Sequence, residues 1–213
     1  IVKRSIKTID LFVEVTPITM KIKIRKGDSL NQLRLIYGDP KFSLLEEEVL
    51  NYYGDLLFRP DQADQDSISY LSVDLKPTDI IPSEMATSEM ASAFKAMGKD
   101  DIQGVIDISQ TNHYNPKLFW ETELWNSENK TLEIKPDRFY IIRSKERLCL
   151  PGDVAVYAQA MTENLGERRI HYAGFAHPYF GFERKSKDSN GTTISGTPLI
   201  FEIRGHNVST LLR

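Results

Sequence analysis

Cysteine is almost missing from this chain: Cys149 stands alone among 213 residues, so no internal disulfide and no Cys-x-x-Cys metal knuckle can form. Between Leu148 and Leu150 it is expected to be a small core hydrophobe. The four histidines, His113, His171, His177 and His206, include no His-x-x-x-His pair, which argues against zinc. An excess of basic charge is missing too. Lysine and arginine number 27 against 30 acids, for a net charge of −3 and a pI near 5.9. A protein that grips nucleic acid through a broad basic surface is disfavoured, and any phosphate must be held by a few placed groups. Apolar runs are too short to span a bilayer, and the charged start, Ile1 to Lys7, leads into no signal-type apolar stretch. The expectation is a cytoplasmic protein without a nucleic-acid or membrane partner.

Catalytic signatures are sparse as well. A Ser-centred nucleophile elbow, a Walker A loop, a dinucleotide-binding glycine fingerprint and the His-x-Glu with Pro-Cys-x-x-Cys pattern of zinc enzymes are all absent. If the chain is an enzyme, its working groups are carboxylates and hydrogen-bond donors.

What is present is ample apolar content, 40%, enough for one large or two small domains. Residues 5–37 read as a three-stranded meander: Ile9 to Val15, Ile18 to Ile24 and Leu30 to Tyr37, with a Lys-Gly-Asp turn before the last. A helix is expected next, from the Ser43/Glu46 capping pattern through Phe42, Leu45, Val49 and Tyr53 to a stop at Gly54. The polar stretch 59–67 reads as a linker, dividing a first domain, 1–58, from a second, 68–213. The Ala/Met-rich segment 84–97 reads as helix by propensity. After it, Val105–Ile108, Leu132–Ile134, Phe139–Arg143, Arg147–Leu150 and Val154–Ala160 read as short strands separated by Pro- and Asp-containing turns. That pattern argues for an all-β barrel or sandwich. Trp120 and Trp125 are expected to anchor packing between the two halves. Residues 183–197 read as a long exposed hairpin loop. Both ends read as incomplete, as though the first half were truncated.

Two acids sit inside apolar strands. Leu199-Ile200-Phe201-Glu202-Ile203 repeats the pattern of Leu11-Phe12-Val13-Glu14-Val15, a hint of internal duplication. Alternation puts Leu199, Phe201 and Ile203 on one face and Ile200, Glu202 and Arg204 on the other. Read alone, Glu202 is more readily a surface acid paired with Arg204 or a cross-strand base, whereas Glu14 reads equally as a surface acid or a catalyst.

These motifs carry a resemblance. Phe139-Tyr140-Ile141-Ile142, Leu150-Pro151, His171-Tyr172-Ala173-Gly174-Phe175, Pro178-Tyr179-Phe180-Gly181 and Phe201-Glu202-Ile203 resemble the second half of the long, two-repeat bacterial dCTP deaminases. Ser72-Val73-Asp74-Leu75 and Phe119-Trp120-Glu121 are similar to the same form, and Ile9 to Leu35, with Lys26-Gly27-Asp28-Ser29-Leu30-Asn31-Gln32, resembles the close of the first half. The resemblance implies two dUTPase-like distorted β-barrels of the β-clip type, the first truncated here, joined by the short helix. It implies hydrolysis of dCTP to dUTP and ammonia for deoxynucleotide supply, Mg²⁺ only with the triphosphate, no zinc, and a homo-oligomer, dimer or trimer. A carboxylate in a partly desolvated strand suits the proton shuttle, since burial raises a carboxyl pKa toward working pH. By the same mapping Glu14 is the first candidate for that acid and Glu202 the second. Gln32 is implied as a nucleotide contact; Tyr172 and Ala173 fall in the substrate segment, with a backbone carbonyl near Ala173 orienting the water. Arg168 and Arg169 read equally as triphosphate ligands or ordinary ion-pair partners.

Two departures stand out. The family's Ser-Ser-x-x-Arg segment is replaced by Met161 to Arg169, and His177 stands where Asp normally precedes Pro. They leave open a degenerate second repeat, a dUTP pyrophosphatase, and a non-catalytic nucleotide-binding or oligomerisation module.

Overall fold

The computed structural model describes residues 10–30, 56–58, 71–76, 78–79, 90–98, 101–102, 104–158, 169–171, 174–187, 191, 193–205 and 210–212. In chain order the strands are β1 (Ile22–Lys23), β2 (Leu57–Phe58), β3 (Thr78–Asp79), β4 (Met90–Ala91), β5 (Ala93–Ala96), β6 (Ile106–Asp107), β7 (Trp120–Glu123) and β8 (Leu132–Ile134). There follow β9 (Phe139–Leu148), β10 (Val156–Tyr157), β11 (Arg169–His171), β12 (Phe175–Ala176), β13 (Lys185–Lys187), β14 (Thr193–Ser195), β15 (Thr197–Arg204) and β16 (Thr210–Leu212). Helix is limited, among the described residues, to a 3₁₀ turn at Pro116–Leu118, where the Asn115 side chain accepts from the Lys117 amide. The class is all-β. Among the described residues the pairings form one six-stranded sheet and several two-stranded ones, with no closure into a barrel.

Everything is hung on β9. On one flank it runs antiparallel to β15 for nearly its whole length. The other flank is divided: β5 takes Tyr140 and Ile141, Val73 bridges Ser144, and β2 takes Arg147 and Leu148. Beyond these, β11 extends the sheet from β15 and β7 extends it from β5. The alternation of β9 is strict. Tyr140, Ile142, Ser144, Glu146 and Leu148 are buried, whereas Phe139, Ile141, Arg143 and Arg147 are half-buried and Lys145 exposed. Tyr140, Ile142 and Leu148 join Leu132, Ile134, Leu150, Leu199, Phe201 and Ile203 in one core, because each strand turns the same face toward it.

One irregularity interrupts the central ladder. Between Pro198 and Ile200 the register of β15 against β9 shifts, leaving the amide of Leu199 without a backbone partner in the ladder. The Ser144 hydroxyl accepts that amide at 2.9 Å while donating to the Glu146 carbonyl at 2.6 Å. Glu146, itself inward, accepts from the Ser72 amide and hydroxyl, both at 2.7 Å. Two glycines allow the return chain to lie against the end of β9. At Gly181 (φ +69°) and Gly196 (φ +87°) an added Cβ would sit 2.0 and 2.6 Å from the Leu148 carbonyl oxygen.

Several sequence expectations are corrected here. Segment 84–97 is strand where described, as β4 and β5; Ala91, Ala93 and Ala96 are each at most 2% exposed, so burial between neighbouring strands overrides alanine's helix propensity. The two short strands expected at 139–143 and 147–150 are a single ten-residue strand, β9. Cys149 is half-buried, not core: Leu148 and Leu150 take the inward positions on either side of it. Trp125 packs against the sheet's own core and Trp120 lies 6.0 Å from Phe139; most of the first half they were expected to pack against lies outside the described residues. The 183–197 loop contains its own hairpin, β13 with β14. Residues 10–17 form no strand, and β1 pairs in parallel with β6 instead of continuing a meander. The expected helix at 43–54 and the boundary at 59–67 lie outside the described residues, but Leu56–Phe58, just before it, already belongs to the sheet.

Removing the hydroxyl at the bulge leaves a buried amide unsatisfied. Ser144→Ala is expected to destabilise the fold by about 1–3 kcal/mol, read by chemical denaturation; an unchanged midpoint would contradict the mending role of Ser144.

Candidate active site

The face of the sheet turned away from the core carries Glu202, Arg204, Arg143 and Arg147. On β15, Ile200 is exposed while Glu202 and Arg204 are half-buried, and Leu199, Phe201 and Ile203 point inward, as the alternation anticipated. The register sets Glu202 between Ile141 on β9 and His171 on β11, and Arg204 between Phe139 and Arg169. Side chains two residues apart on a strand stand about 7 Å from each other, so Glu202 and Arg204 form one patch. One rung further along, Arg143 faces Ile200 and is ion-paired with Asp74. Arg147 donates to the Gly196 carbonyl at 2.9 and 3.1 Å.

At the Arg204 end the patch opens into a cleft of about 550 Å³. Its floor is Ala96, Phe139 and Arg204 from three adjacent strands, and its sides are Met97, Gly98 and Asp101 on one hand and Pro136, Asp137 and Arg138 on the other. The second side is fixed to the end of β15, since the Asp137 amide donates to the Gly205 carbonyl (3.0 Å) and the Gly205 amide to the Arg138 carbonyl (3.1 Å). Ile18 and Thr19 complete the cleft from the N-terminal segment.

That segment is held by β1 on β6 and by a charged latch. Arg25 donates to both carboxylate oxygens of Asp107 and to the Ser109 hydroxyl, and Lys23 stands 3.9 Å from the same carboxylate. Asp107 is 6% exposed, and its amide donates to the Tyr114 hydroxyl at 2.8 Å. Hydrogen bonds from Ser109 and then Arg25 hold the Asp107 carboxyl below its ordinary value. A second charged group lies on the sheet's edge, where Lys95 of β5 bridges Glu121 and Glu123 of β7. Burial pulls the Lys95 ammonium down, but the two glutamates outweigh it and its pKa ends raised.

The sequence-predicted residues are dispersed. Glu202 lies on the sheet face beside the cleft, and β11 brings the backbone of Arg169 opposite Arg204. Glu14 is exposed, two residues from Phe12 at 93% exposure, and the strand expected around it is not formed among the described residues. Gln32, Arg168, Tyr172 and Ala173 lie outside the described residues. His177 is exposed in a turn, its Nδ1 2.5 Å from the Pro178 carbonyl. Sequence reading missed Arg138, Asp101 and the Arg25–Asp107 latch. Only the Lys-Pro-Asp turn at 135–137 signalled that Arg138 would be carried at a strand entry.

An all-β body of this kind matches the fold of a nucleotide deaminase. The structure is similar to the crystal structure of 2'-deoxycytidine 5'-triphosphate deaminase from Agrobacterium tumefaciens, with a TM-score of 0.59 and 24% identity over 78% of this chain and 42% of that one. The chain therefore spans less than half the length of that deaminase. Residues 55–213 match the family of 2'-deoxycytidine 5'-triphosphate deaminase C-terminal domains, and the chain belongs to that family. No curated protein matches the sequence. Among the described residues no helix is long and apolar enough to cross a membrane.

Because its folded pKa is depressed, Asp107 contributes to holding the N-terminal segment above the ordinary carboxylate value of 3.8, and that contribution fades as pH falls through the lower folded value. Hydrogen-exchange protection of the β1 amides, corrected for intrinsic rates, is expected to hold above pH 3.8 and drop beneath it. Asp107→Asn should show low protection at every pH; protection equal to wild type would remove the latch from the account.

Proposed function

We propose that the chain forms part of a cytoplasmic, homo-oligomeric enzyme that hydrolyses dCTP to dUTP and ammonia, with Glu202 as the acid that moves the protons. The observation that carries this reading is membership of the deaminase C-terminal domain family over a segment that includes Glu202. Its position supports it: a half-buried carboxylate held on a strand paired on both sides, on the outward face of the sheet. Although the resemblance ranks Glu14 first, an exposed acid on an unpaired segment has less to hold it at a fixed distance from a base.

In this reading the carboxylate takes a proton from the water that attacks C4 of cytosine. It returns protons to N3 and to the departing amine, so that dCTP and water give dUTP and ammonia. Mg²⁺ enters on the triphosphate as the substrate's counter-ion. In this reading the protons move through Glu202. Tyr172, Ala173, Arg168, Arg169 and Gln32 remain the proposed substrate contacts.

A second reading is a nucleotide-binding or oligomerisation module without turnover. It is favoured by the Met161 to Arg169 segment that replaces the Ser-Ser-x-x-Arg pattern. A dUTP pyrophosphatase is disfavoured by His177 at the position where that reaction needs an acid.

Ammonia release from dCTP with Mg²⁺ separates these. Glu202→Gln is expected to lower turnover by about 10²-fold or more while nucleotide binding persists, and Glu14→Gln to lower it far less. Loss in Glu14→Gln alone would move the acid to the N-terminal segment, and binding without turnover in the wild type would select the module.

A further inference from the structure

Arg138 and Arg204 are not accounted for by the sheet or by the Glu202 chemistry. Both are half-buried, both line the cleft, and among the described residues neither makes a side-chain hydrogen bond or ion pair. Arg143 and Arg147 on the same face each have a partner. With no hydrogen bond spent on the described residues, each guanidinium keeps its planar fork open to a phosphate oxyanion.

The rest of the cleft narrows the ligand. Asp101 and Asp137 line it together with the two arginines, so its charges sum to zero and a bare polyanion gains little there. The carboxylates ask for hydroxyl or amino donors on the same molecule. Phe139 and Pro136 supply an apolar wall, and about 550 Å³ is the volume of a small-molecule site. Gly98 keeps this space open: a Cβ there would lie 2.5 Å from Nη1 of Arg138 and 2.6 Å from Oδ2 of Asp101.

We infer that this cleft is a binding site for a sugar monophosphate or nucleoside monophosphate, Arg138 and Arg204 taking the phosphate and Asp101 and Asp137 the sugar hydroxyls. The site does not depend on the deaminase reading. Its ligand is a phosphate monoester held by the strand ends, whereas Glu202 acts on a base.

The test is titration of the protein with ribose 5-phosphate, and separately with inorganic phosphate, followed by amide chemical shifts at Gly98, Asp101 and Gly205. Saturating shifts are expected with ribose 5-phosphate and much weaker binding with inorganic phosphate. Arg204→Gln and Arg138→Gln should each weaken binding by roughly ten-fold or more, and Arg204→Lys should recover only part. Gly98→Ala, which pushes two flexible side-chain ends aside and leaves every charge in place, should also weaken it. The same spectra show whether each variant is folded; if an arginine variant is not, Gly98→Ala decides. Shifts that persist in Glu202→Gln keep this site distinct from the deaminase reading. Absent shifts, shifts unchanged in the folded arginine and glycine variants, or equal binding of inorganic phosphate would overturn the inference.

Discussion

The ladder between β9 and β15 is the constraint on which the rest of the molecule depends. Seven register pairs fix which residues of either strand face the core, and a slip of one residue would exchange every buried side chain for an exposed one. The register is protected from both sides. Phe201, Ile203, Tyr140 and Ile142 gain burial only in the observed phase, and the one break in the ladder, at Leu199, is closed by the Ser144 hydroxyl rather than left to slide.

The same register creates the charged outward face. Putting Phe201 and Ile203 inside leaves Glu202 and Arg204 outside at strand spacing, next to Ile141 and Phe139. The turn at 135–138 and the end of β15 are then tied together through Gly205, where a Cβ would meet the Lys135 carbonyl oxygen at 2.2 Å. This close approach carries Arg138 to Arg204. The N-terminal segment, latched by Arg25 on Asp107, completes the cleft without contributing to the core.

Much of this was readable from residue order. The phase of β15 follows from Leu199 to Arg204, the strand at 132–134 from its bounding turns, and the all-β class from the recurrence of short apolar runs. What escaped had physical causes. Segment 90–96 is rich in alanine and methionine, whose local preference is helical; pairing of Met90–Ala91 with β3 and of Ala93–Ala96 with β7 and β9 makes it strand. Residues 10–16 alternate like a strand, yet a strand exists only with a partner, and pairing partners are not encoded locally. The Arg25–Asp107 latch joins positions 82 residues apart, and the pairing of Arg138 with Arg204 across a cleft depends on two loops meeting. Neither leaves a trace in spacing.

The central claim is that the outward face of the β9–β15 ladder, with Glu202 at its centre, receives the nucleotide base. The most direct measurement is a crystal structure of the Glu202→Gln protein with dCTP and Mg²⁺ bound. The account predicts C4 of cytosine and an attacking water within hydrogen-bond reach, about 2.6–3.2 Å, of the residue 202 side chain. A nucleotide seated elsewhere, with that side chain facing only solvent, would contradict it.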